Sequence, residues 1–100
     1  MIKIKINYND NFITDFKISG HANYDEHGKD IVCASVSSIV ITSVNLVLKF
    51  NKDAIKVNQD VGLIDANVLI KDEVINKILL NMKDMLEELS NDYKKYVKII

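Results

Sequence analysis

One hundred residues, 48% apolar and 27% charged with a net charge of −1, describe one ordinary folded domain spanning residues 1–100. All 13 basic residues are lysine, and without arginine or a basic excess the chain lacks the usual means of reading phosphate and base edges, so direct nucleic-acid binding is not expected. The single cysteine forbids an intramolecular disulfide and the lysine-alternating N-terminus has no secretory pattern, which together indicate the cytoplasm.

Residues 2–8 alternate at period two, with Ile2, Ile4, Ile6 and Tyr8 on one face and Lys3, Lys5 and Asn7 on the other. Asn9, Asp10 and Asn11 tolerate left-handed backbone and predict a hairpin turn. The next strand, residues 12–19, sets Phe12, Phe16 and Ile18 against Asp15, Lys17 and Ser19. From Gly20 to Lys29 the periodicity stops, and Asp30 then offers a helix N-cap. Residues 31–50 are rich in β-branched side chains but too long for a strand; their polar residues Ser35, Ser38, Thr42, Asn45 and Lys49 form one narrow helical stripe. A helix this apolar predicts burial on more than one side, while its serines, Thr42 and Asn45 argue against a membrane span. Residues 54–58 and 63–70 predict a second hairpin, with Asp60-Val61-Gly62 near its turn. Asp72 and Glu73 open a second helix whose Val, Ile, Leu and Met residues recur at helical spacing as a core stripe, and Tyr93 to Ile100 form a last strand. The order is ββαββαβ, an α+β fold with two helices packed on a mainly antiparallel sheet.

The stretch from Gly20 to Ser38, where the strand pattern stops and the helix pattern begins, holds both histidines and the only cysteine. A long loop that gathers the reactive residues between structural flanks is where function usually sits. Cys33 falls in the first helical turn, where free amides and the positive helix end favour a thiolate over a thiol. His21, twelve residues upstream at a strand end, is the natural proton acceptor and donor for acyl transfer, and the Cys33 amide would face the attacked carbonyl. The plainer reading makes Cys33 a small buried hydrophobe and His21 a solvated side chain. Asp30 is either the helix cap or a third catalytic member that orients the histidine. Ser37, one turn after Cys33, bonds the thiol, the histidine or a substrate backbone, or satisfies a neighbouring carbonyl. His27, Asp25 and Glu26 read as loop surface, since the His and Cys spacings match no common zinc pattern and no metal site is expected.

The run GHA followed by a variable loop ending in GKDIVCASVSS closely resembles the signature of the ribosomal-processing cysteine protease family Prp, and the element order fits that family along nearly the whole chain. The resemblance implies a bacterial cysteine endopeptidase that removes a short N-terminal extension from ribosomal protein L27 during large-subunit maturation, working as a homodimer without a cofactor. It implies Cys33 as nucleophile and His21 as general base and acid. Asp30 and Ser37 would be supporting residues, and Gly20 and Gly28 the flexible loop ends. The alternative is a non-catalytic ribosome-assembly factor that holds a peptide in the same groove.

Overall fold

The computed structural model describes all of residues 1–100. The first alternating segment becomes β1 (Ile2–Asn9), which pairs antiparallel with β2 (Phe12–Ser19). Asp10 and Asn11 turn the chain between them at φ of 52° and 67°, as a two-residue hairpin with positive φ at both positions demands. The hairpin departs from the expected pattern at one residue. Asn7 pairs with Asp15 but Tyr8 pairs with Ile13, so Thr14 is an extra residue in a β-bulge. The bulge reverses the alternation before it: Ile13 enters the core beside Phe16 and Ile18, whereas Phe12, expected there, lies half-buried beneath the Lys71 ammonium.

The second hairpin is β3 (Ile55–Asp60) and β4 (Leu63–Val68), with Val61 and Gly62 at the turn. β4 lies beside β2, so the sheet runs β3-β4-β2-β1-β5, closed at one end by β5 (Val97–Ile99) parallel to β1. The final strand is shorter than expected, because Tyr93 to Tyr96 turn the chain before Val97 brings it into line beside β1. One sheet face carries Ile2, Ile4, Phe16, Ile18, Ile64 and Ala66 and is buried. The other carries Lys3, Lys5, Lys17 and Asn67 and meets solvent, as expected of an antiparallel sheet covered on one side.

The helices supply the second layer. In α1 (Ile31–Phe50), Val32, Val36, Val40 and Val44 recur every fourth residue and join Val47 against the sheet; each fully buried side chain of this kind contributes roughly 1.5–3 kcal/mol. The buried stripe of α2 (Glu73–Asp92) is Ile75, Leu79, Met82 and Leu86. The Asn76 side chain clips this helix to the first hairpin, accepting from the Ile13 N–H at 2.9 Å and donating to the Asn11 carbonyl at 3.2 Å. Within one chain α1 is buried along one side only: Ile31, Ile41, Leu46 and Phe50 are 40–61% exposed. Contrary to the sequence expectation, α1 is also long and apolar enough by length and composition to cross a membrane. A core helix passes the same test, and its valine stripe is seated on the sheet.

Candidate active site

Asp30 shapes the junction between the loop and α1. One carboxylate oxygen accepts from the Val32 and Cys33 amides at 3.0 Å each, capping the helix. The other accepts from the Tyr24 and Asp25 amides at 2.9 and 3.3 Å, folding the loop back over the helix start. Desolvation pushes the Asp30 carboxyl upward, but hydrogen bonds from the Cys33, Asp25, Tyr24 and Val32 amides together outweigh it and hold the group below its ordinary value. Asp30 thus takes the cap position that the sequence offered it, with both oxygens accepting from backbone amides. The Cys33 amide, expected to face an attacked carbonyl, donates to this carboxylate.

Cys33 is half-buried, and its sulfur accepts a hydrogen bond from the Ala22 N–H at 3.4 Å. Ala22 is itself buried and anchors the chain just after His21, leaving the imidazole exposed. Both His21 and Cys33 line a cleft of about 640 Å³. One wall is the loop, with Gly20, Asn23, His27 and Gly28; the floor is formed by Ile2, Ile18 and Ile64 at strand ends with Val36 of α1. Ser37 is exposed and lines the cleft one turn beyond Cys33. Gly20 and Gly28 both take positive φ, 91° and 87°. No three His, Cys, Asp or Glu side chains converge as a metal centre would require.

Sequence reasoning missed the far wall, which is the β3–β4 turn from Gln59 to Leu63. Because β4 pairs with β2, this turn stands beside the end of β2, and the Gly20 N–H donates to the Gly62 carbonyl at 2.9 Å. The turn itself was readable from Asp60-Val61-Gly62; its neighbour was not. Also unforeseen is the seat of Tyr24, whose ring meets those of Tyr93 and Tyr96 edge-on at centroid distances of 5.7 and 5.1 Å.

A thiol at a capped helix start, with a histidine on the wall of a groove large enough for several peptide residues, is an arrangement suited to cysteine peptidase chemistry. Residues 1–98 match the family model described as cysteine protease Prp. The ribosomal processing cysteine protease Prp of Bacillus subtilis (strain 168) is 32% identical over 97 residues, covering 90% of this chain and 87% of the relative. The protein of the same name from Staphylococcus aureus (strain Mu50) is 30% identical, with 99% and 97% covered. The crystal structure of the essential ribosomal processing protease Prp from S. aureus with a covalently linked product peptide superposes with a TM-score of 0.93 at 28% identity, over 99% of this chain and 97% of that one. Its complex with a substrate peptide gives 0.87 at 27% identity, covering 100% and 98%. The chain therefore belongs to the Prp cysteine protease family and is a cysteine-type peptidase.

Proposed function

We propose that this peptidase removes a short N-terminal extension from ribosomal protein L27, acting in the bacterial cytoplasm as a homodimer and without a cofactor. The observation that carries the reading is that Cys33 and His21 line one cleft while the backbone next to the histidine is bonded to the thiol. His21 takes the thiol proton, and the Cys33 thiolate attacks the scissile carbonyl to give a tetrahedral intermediate. Its collapse breaks the C–N bond, with His21 returning the proton to the leaving amine and a thioester remaining on Cys33. Water then attacks the thioester, His21 accepts its proton, and the carboxylate product leaves as the thiol is restored. Asp30 supports this chemistry by holding the helix start and loop together, and Ser37 by offering a hydroxyl along the bound peptide. Gly20 and Gly28 let the loop shape itself around that peptide.

Incubation with a synthetic peptide spanning the L27 extension tests the proposal, with mass spectrometry of the products. Cleavage at one bond, abolished by Cys33→Ala and by His21→Ala, is the expected result. Binding without cleavage by the wild-type protein would instead favour the assembly-factor alternative.

A further inference from the structure

Gly62 lies on the cleft wall opposite the helix start, and its Cα faces the His21 ring. A Cβ built at Gly62 would stand 2.9 Å from His21 Nε2 and 3.2 Å from Cε1, closer than carbon normally approaches either atom. The same residue takes φ +68° and accepts the Gly20 amide, so the turn is bonded to the residue immediately before the histidine. From these contacts we infer that Gly62 is a positioning residue: the bare Cα of the β3–β4 turn is the surface against which the His21 imidazole is set for proton transfer with Cys33.

The geometry specifies how the site responds to a side chain there. The turn backbone is fixed by the β3–β4 pairing and by the bond to Gly20, whereas the imidazole is the exposed, rotatable end of a side chain. An added Cβ therefore turns the ring and leaves the turn in place. Proton transfer between two held groups is sensitive to displacements of about 1 Å, which can lower rates by on the order of a hundredfold. The other titratable groups lining this cleft are Asp25, His27, Asp30, Cys33 and Asp60, and the three atoms nearest to an added Cβ all belong to His21 rather than to any of them.

The inference rests on His21 being the catalytic base, and the test separates the two ideas. Asparagine is the variant of choice, because Asn11 and Asn23 already occupy φ of 67° and 57° in this chain, so Gly62→Asn adds the Cβ with little backbone strain. D-alanine at position 62, introduced by total synthesis of the 100-residue chain, keeps the left-handed backbone and places its methyl on the other face of Cα. Histidine Cε1–H resonances, the pH profile of Cys33 alkylation, and kcat and KM on the L27 peptide are measured for each. In Gly62→Asn the His21 resonance moves and that of His27 does not. The alkylation profile approaches that of His21→Ala, and kcat falls about a hundredfold with KM within a few-fold. D-alanine restores all three. Gly62→Ala, which adds the same Cβ, is the second variant should asparagine fail to fold. An unmoved His21 resonance overturns the inference whatever the cleavage assay gives, as does equal loss with D-alanine, which would assign the effect to the turn alone. Cleavage that survives His21→Ala overturns the catalytic role of the histidine and this inference with it, while a moved resonance would still record the packing.

Discussion

The Ala22 N–H donates to the sulfur of Cys33 at 3.4 Å, tying the residue that follows His21 to the thiol. The bond also fixes how far the end of β2 lies from the start of α1. If His21 takes the Cys33 proton as proposed, His21→Ala should slow the alkylation of Cys33 by iodoacetamide at pH 6. A rate equal to that of a simple thiol, unchanged by removing the imidazole, would count against a coupled pair.

Asp30 gathers four amides, and its effect on stability follows the sign of its pKa. Because the folded-state value lies below the ordinary 3.8, the ionised carboxylate stabilises the fold at neutral pH. This contribution is complete above the unfolded value and is lost as pH falls through the lower folded value. Asp30→Ala should cost about 1–2 kcal/mol at pH 7, the range for losing an N-cap. Asp30→Asn, which keeps one acceptor oxygen but no charge, should cost less. Denaturant titrations at pH 7 and pH 3 should show both differences shrinking at the lower pH. A constant difference would mean that the charge contributes nothing.

How much was legible in the sequence depended on how local each relationship is. The first turn, the helix cap and both hairpins follow from neighbouring residues, so Asp10, Asn11 and Asp30 could be read where they stand. The Phe12 expectation failed because a bulge at Thr14 inverts a period-two pattern without altering composition. The cleft's second wall stayed hidden for another reason: Gly62 meets His21 only because β4 lies beside β2, and strand order is not written in either segment. For Asp30, the capping chemistry was legible, but the amides of Tyr24 and Asp25 depend on a loop path without periodicity.

The loop is latched at Tyr24 by two edge-on tyrosine contacts, each worth about 0.5–1.5 kcal/mol beyond simple burial. Tyr24→Ala should release it while the sheet and helices stay intact. Hydrogen exchange at residues 22–29 should then quicken by about tenfold or more, equivalent to about 1.4 kcal/mol of lost closure. Protection factors unchanged across that segment would show that Asp30 alone holds the loop.

Two of the glycines offer a matched comparison. An added Cβ at Gly20 would collide with the Met1 carbonyl oxygen, whereas at Gly28 it would meet nothing within 4 Å. Both have positive φ. Gly28→Ala should therefore cost only the left-handed backbone penalty of about 1 kcal/mol. Gly20→Ala should add an overpacking cost of roughly 2 kcal/mol. Thermal melts should place the Gly20 variant well below the Gly28 variant, by about 10 °C for a chain of this size. Equal melting temperatures would mean that the N-terminal strand yields freely to the intruding methyl.

A homodimer, as proposed, would cover apolar surface on α1 that a single chain leaves exposed. Ala34, Ile41 and Leu48 are spaced by seven residues, which places them along one side of the helix, and all three are exposed. A seven-residue apolar repeat is the pattern by which helices pack against one another, and Ala34 also lines the cleft, so a partner seated on this seam would border each active site. The polar stripe from Ser38 to Lys49 lies to one side of the seam and can remain wet. Ile41→Glu would bury a carboxylate at the centre of such an interface, which is costly for an unpaired charge. The double variant Ile41→Glu/Leu48→Glu should sediment as a monomer of about half the wild-type mass while keeping its circular dichroism spectrum. A dimer mass that survives both substitutions would move the interface off this side of α1.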